Sequence, residues 1–254
     1  MTILGAILIH ELLLIGIGTG NPDHVTAEAA KAMNDADLIL IPRKGPDKAD
    51  LADLRRQILS AHLTSDAKVV EFDLPKRDAA NPDYEQGVLD WHDAIAAAWK
   101  AAIAEGGDAE TAALLVWGDP SLYDSTLRIA ERFDPKPAIR VIPGITAIHA
   151  LTAAHAIPVN EIGAPWIVTT GRRLRDEGWP ESASTVVVML DGQCSFRTIP
   201  SVGVTIWWGA YVGMTEQVLR SGPLSDVADD IVATRKEARD AHGWIMDVYL
   251  MRRA

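Results

Sequence analysis

Apolar residues in the first half of the chain come in short blocks, at 12–17, 38–41, 68–72, 113–117 and 139–142. Several blocks are almost wholly apolar, the pattern of strands covered on both faces. Longer amphipathic stretches separate them, at 26–33, 50–61, 84–105 and 126–133, and read as helices. Thr26 and Asp50 stand where N-caps belong, and Gly106-Gly107 closes the longest helix. This alternation predicts an α/β domain with a mostly parallel sheet and helices on both faces. In the second half the strand-like blocks lie closer together, at 166–170, 185–190, 204–208 and 245–250, with a longer helical pattern only at 224–239. That spacing predicts a second α/β domain with a mixed sheet. Between the halves, "PGITAIHALTAAHAIPVNEIG" reads as a turn, a helix over about 146–156 and a stop at Pro158. The predicted domains are therefore 1–158 and 159–254.

Composition narrows the setting. The formal net charge of −11 over 254 residues argues against a nucleic-acid partner, so any anionic ligand needs a local basic patch. The lone Cys194 has no partner for an internal disulfide and leaves no cysteine framework for a metal, which suits a reducing, cytoplasmic setting. The apolar start, "MTILGAILIHELLLIGIG", lacks a positive leader and is interrupted by His10 and Glu11. It predicts a buried strand with a short extension, with no signal peptide and no membrane span.

The first strand runs into "GIGTGNPDHVT". Gly16 and Gly18 fit a dinucleotide turn, but the third position falls on Asn21, and the second strand ends in Ile41-Pro42-Arg43 without a carboxylate. No Walker-type Gly-Lys-Ser/Thr follows. A nicotinamide oxidoreductase therefore stands as the out-of-class alternative, and a non-catalytic binding module as another. The loops after strands one, two, four and five are "GIGTGNPDHVT", "PRKGPDKAD", "WGDPSLYDST" and "PGITAIHALTAAHAIP". All are rich in glycine, proline and small polar residues, as where backbone approaches a ligand at the carboxyl edge of an open sheet.

Three of these, "GIGTGNPDHVT", "VWGDPSLYD" and "VIPGITAIHALTAAHAIP", taken in order, resemble the tetrapyrrole (corrin/porphyrin) methylases. Those enzymes methylate ring precursors of cobalamin and sirohaem with S-adenosylmethionine. The resemblance covers nearly the whole chain and implies two α/β domains with a ligand cleft, and weakly a homodimer. The opening loop, "KGPDKADLADLRRQI" and the length look most like the branch that methylates C1 of precorrin-5 and releases acetate. Other branches, and a ribose methylase of similar fold, are alternatives; the charge argues against the latter.

The resemblance implies donor contacts at Pro22, at Trp117, Gly118 and Asp119, at Leu122, at Thr146 and Ala147, at Met189, and more loosely at Gly209 and Ala210. Trp117 stands where the family has a glycine. Gly18 would line the substrate cleft. A polycarboxylate tetrapyrrole needs cations, and Arg43 and Lys44 after strand two and Arg172 and Arg173 after "TTG" are the candidates; a solvated surface cluster is the plain alternative. Acetate release needs a base and an oxyanion stabiliser, for which Asp23, His24 and Tyr123 are the candidates. For Asp119 and His24 the plain alternatives are turn or capping roles. His149 and His155 do not share the helical spacing of metal ligands and are expected to pack, and no metal site is expected.

Overall fold

The computed structural model describes residues 9–43, 49–78 and 83–253. Contacts divide the chain into two units, on either side of Ile145 and Thr146.

The first unit is built on β1 (Glu11–Gly16), β2 (Leu38–Arg43), β3 (Lys68–Asp73), β4 (Thr111–Val116) and β5 (Ala138–Ile142). They form a sheet ordered β3-β2-β4-β1-β5 in which every pairing is parallel. The unbroken apolar run of β1 is explained by burial on both faces. Leu12 and Leu14 pack with Ile95, Trp99 and Ile103 of α3 (Tyr84–Gly106) and Ile129 of α4 (Thr126–Ala130). Leu13 and Ile15 point the other way, against Met33 of α1 (Ala27–Asp35) and Ile58 of α2 (Ala49–His62). Thr26 caps α1 as expected, its hydroxyl accepting the Ala29 N–H at 3.0 Å.

The second unit holds β6 (Trp166–Thr170), β7 (Thr185–Met189), β8 (Val204–Ala210), β9 (Val218–Pro223) and β10 (Asp247–Arg253). Their order is β6-β7-β10-β8-β9; only β6 and β7 run parallel, so the sheet is mixed, as the spacing predicts. α5 (Ala147–His155) packs on β8 and β10, α6 (Gly171–Glu177) follows β6, and α7 (Leu224–His242) follows β9. Four details depart from the sequence reading. α2 begins at Ala49, so Asp50, expected as its N-cap, lies inside the helix. β9 went unpredicted because "VLRSGP" is an edge strand with little apolar content. α6 occupies the segment after "TTG", so Arg172, Arg173 and Arg175 lie on a helix and not on an open loop. β10 starts at Asp247, two residues later than expected, where its ladder begins opposite Ala210 at the end of β8; the Asp247 carboxylate accepts from Trp208 and pairs with Arg235. Among the described residues no helix is long and apolar enough to cross a membrane.

Candidate functional site

The strand order makes β4, β1 and β5 neighbours, so the loops leaving their carboxyl ends meet. They meet closer than side chains permit. A Cβ on Gly16 would lie 2.6 Å from the Gly144 nitrogen and 2.8 Å from the Gly118 carbonyl oxygen. A Cβ on Gly144 would press into that same carbonyl oxygen. Gly18 and Gly118 form an isolated antiparallel bridge, with Gly118 N–H to Gly18 O at 2.8 Å and the reverse bond at 3.3 Å. Both glycines have positive φ, 73° and 61°, which a side chain disfavours. The glycine-rich loop is thus a backbone crossing of three loops, which a pyrophosphate turn does not require.

Asp119 clasps the crossing. Its Oδ2 accepts the Gly144 N–H at 2.9 Å, and its Oδ1 accepts the Ser121 N–H at 2.8 Å and the Ser121 hydroxyl. Burial pushes its carboxyl upward, but the Ser121 and Gly144 bonds outweigh that and hold it below the usual aspartate range. It stays ionised and joins two loops; α4 is preceded by Ser125, so Asp119 does not cap it. Leu122 N–H closes the same turn on Asp119 O at 3.2 Å.

Trp117 lies just past β4, half-buried, with its Nε1 buried and unbonded. Beneath it is Arg55 of α2, a residue that sequence reasoning missed. Its guanidinium carbon lies 4.9 Å from the indole centroid, and Nε donates to Leu115 O at 3.1 Å. Nothing in "DLRRQI" distinguishes Arg55, which turns inward, from Arg56, which pairs with Glu71 at the surface.

The first loop is also braced. Asn21 caps a short turn over Pro22–His24 by accepting the Asp23 N–H at 2.9 Å. His62 Nε2 donates to Pro22 O at 2.9 Å. His24 Nδ1 lies 3.0 Å from the Thr19 hydroxyl, and the Asp23 side chain is exposed. Tyr123 is 44 % exposed and held at φ 49°, a strained conformation of the kind that collects at working sites.

The expected basic patch is less open than its sequence suggests. Arg43 pairs with Asp73 at 3.2 Å, and Lys44 lies outside the described residues. Arg173 makes a two-pronged pair with Glu177, and Arg175 bonds Asp176 and Gln193. Arg172 has partners as well.

In the second unit, Thr146 caps α5, its Oγ1 lying 2.8 Å from His149 Nδ1, and Ala147 begins the helix. His149 is exposed, contrary to the packing expected of it, whereas His155 is tucked in and donates to Trp208 O at 3.0 Å. Met189 ends β7 and is followed by Leu190, exposed and at φ 55°. A Cβ on Gly209 would meet Val212 Cγ1 at 2.5 Å and Leu151 Cδ1 at 2.9 Å, so packing by itself favours a glycine there; Ala210 is fully buried. Behind β7, buried Asp191 accepts bonds from Tyr249 Oη, Ser195 N and Oγ, and Gln193 N.

The description "Tetrapyrrole (Corrin/Porphyrin) Methylases" matches residues 11–228. A precorrin-6A synthase (deacetylating) of Sinorhizobium sp. is 46 % identical over 250 residues, covering 96 % of this chain and 95 % of that protein. A cobalamin-synthesis-related protein of Corynebacterium diphtheriae superposes with a TM-score of 0.80 at 37 % identity, over 96 % of this chain and 98 % of its own. A uroporphyrin-III C-methyltransferase of Thermus thermophilus shares the fold, at 19 % identity and a TM-score of 0.59, over 96 % and 94 % of the two chains.

Proposed function

We propose, since this chain belongs to the tetrapyrrole (corrin/porphyrin) methylase family, that it transfers a methyl group from S-adenosylmethionine to C1 of precorrin-5 and releases acetate, giving precorrin-6A. The observation that carries this reading is the near-full-length similarity to the Sinorhizobium enzyme. The glycine crossing supports it: a ligand recognised through main-chain groups needs backbone brought close without side chains between.

The donor supplies a methyl already activated by a positive sulfur. The protein has to hold the acceptor carbon in line, about 3–3.5 Å away, and exclude water. Pro22, Trp117, Gly118, Asp119, Leu122, Thr146, Ala147, Met189, Gly209 and Ala210 are the residues we assign to the donor. An ionised Asp119 beside the crossing suits a cationic ligand. Gly18, Arg43, Lys44, Arg172 and Arg173 are assigned to the polycarboxylate ring, which would have to compete for the guanidinium groups of Arg43 and Arg173 with their acidic neighbours. For acetate release, water adds to the acetyl carbonyl, the bond from that carbon to the ring breaks, and its electron pair enters the ring. Asp23 or His24 takes the proton of the water and Tyr123 faces the developing oxyanion. A cytoplasmic homodimer without nucleic-acid or membrane partners completes the reading, supported by the family resemblance, the lone cysteine and the acidic charge.

The test is incubation with methyl-labelled S-adenosylmethionine and a panel of precorrins. One labelled methyl at C1 and one acetate per turnover are expected with precorrin-5. A methylated product that keeps its acetyl group would assign the chain to another branch, and no transfer to any tetrapyrrole would overturn the proposal. Replacing Asp23, His24 and Tyr123 singly, with methyl transfer and acetate measured apart, tests their roles; acetate release is expected to fall more than methylation.

A further inference from the structure

Arg55 is a charge in an apolar place. It is 8 % exposed on α2, on the face that packs Ala52, Ile58 and Leu59 against the sheet. Burying a guanidinium is costly, and a well-packed apolar residue of similar size usually serves stability as well or better. Its presence therefore calls for something that an apolar residue cannot do. Two directional bonds aim it: Nε to Leu115 O and Nη1 to Leu51 O, each 3.1 Å. With the guanidinium so held, its central carbon lies over the Trp117 ring, 4.9 Å from the ring centroid. The indole Nε1 is buried with no hydrogen-bond partner, so the ring is kept in place by packing and by the cation. Burial lowers the Arg55 pKa to about 10, with Asp124 pulling it back up, so it remains a cation at neutral pH. Trp117 leads directly into Gly118, which bridges Gly18, and Asp119, which clasps Gly144.

We propose that Arg55 is a positioning residue for the methyl donor: by stacking under Trp117 it fixes the start of the 117–121 loop, so that Gly118 and Asp119 are presented in one arrangement. The inference rests on the donor-binding reading above. Arg55 touches neither reactant; its effect passes through one aromatic ring. Its loss therefore weakens donor binding and leaves the tetrapyrrole unaffected.

The experiment is a double-mutant cycle on the full chain, with calorimetric binding of S-adenosylhomocysteine and steady-state kinetics as readouts. Arg55→Met keeps the stem and removes the cation. It is expected to raise the Kd for S-adenosylhomocysteine and the KM for the donor about five- to twenty-fold, within the span of a desolvated cation–π contact. The KM for the tetrapyrrole and the binding stoichiometry stay as in the wild type. Arg55→Lys, with a charge but without the fork that reaches Leu115 O, falls between. In a Trp117→Leu background the Arg55→Met change is expected to alter donor affinity less than about two-fold, because the ring it acts through is gone. Trp117→Phe, which keeps a ring, preserves most of the coupling. Purely structural damage would instead lower the stoichiometry and leave the affinity of the remaining sites unchanged, which overturns the proposal. Additive effects of Arg55→Met and Trp117→Leu overturn it too. Wild-type protein that binds no S-adenosylhomocysteine would refute the donor reading itself. Wild-type binding with both Arg55 variants unaffected would refute only this inference.

Discussion

The two units organise the carboxyl ends of their strands by opposite means. In the first, Gly16, Gly18, Gly118 and Gly144 let three loops cross backbone to backbone, and a single carboxylate, Asp119, holds the crossing. In the second, the segment after β7 is held by side chains: Asp191 gathers Tyr249, Ser195 and Gln193, while Arg235 pairs with Asp247, which also accepts the Trp208 N–H. The first arrangement satisfies its main-chain groups at the crossing: Gly18 and Gly118 exchange two bonds, and the Gly144 N–H goes to Asp119. The second uses up its polar groups internally and stabilises a core. The difference teaches that one unit brings its loops together by leaving out side chains, and the other by pairing them.

The sharpest way to break the comparison is to put atoms where the first unit has none. Gly144→Ala drives a methyl into the Gly118 carbonyl and against Gly16. A destabilisation of about 3 kcal/mol or more, or failure to fold, is expected in denaturant unfolding; a stable, fully active variant would show that the crossing is loose. Asp191→Ala attacks the second arrangement. It leaves the Tyr249 hydroxyl and the Ser195 and Gln193 N–H groups without their acceptor, for an expected loss of about 3 kcal/mol.

Asp119→Asn is milder. One of its two side-chain positions becomes a donor facing an N–H, at either Gly144 or Ser121. A stability loss of about 1–2 kcal/mol and weaker donor binding are expected. Because the folded carboxyl titrates below its ordinary value of 3.8, the contribution of Asp119 is complete above that value and lost as pH falls below it; the asparagine variant should lack this step in acid titrations of stability. The smallest effect concerns His92, a buried side chain of the first unit with both ring nitrogens unbonded. Burial, then the nearby Arg132 and Arg128 charges, lowers its pKa, with Asp93 opposing. Stability is then greatest above about pH 6.5 and declines as pH drops below it, because the unfolded chain takes up the proton first. Thermal midpoints measured between pH 7.5 and 5 should fall less in His92→Phe than in the wild type.

Much of this was legible from local pattern. β1, β2 and β4 at the centre of the first sheet announce themselves because parallel strands buried on both faces need near-continuous apolar runs, while the edge strands β3 and β5 show shorter runs broken by Glu71 and Arg140. β9 hides because an edge strand carries Arg220, Ser221 and Gly222, residues that a buried strand could not. Of the proposed site, the glycine loops were visible as composition, while their mutual contact was not. Arg172 and Arg173 looked like open cations because a seven-residue helix with Glu177 one turn on leaves little trace in sequence. Arg55 and Arg56 are neighbours of one type, so no sequence signal separates them.

The sequence by itself determined the alternation of strands and helices, the start of α1, the change from a parallel to a mixed sheet and the family. Those features rest on periodicity and on turn residues, which act over a few positions. Tertiary structure alone decided that loops distant in sequence cross at Gly16, Gly118 and Gly144, that Asp119 locks them, and that one arginine of an adjacent pair goes under Trp117. Strand order sets which loop ends become neighbours, and that order follows from packing the whole sheet.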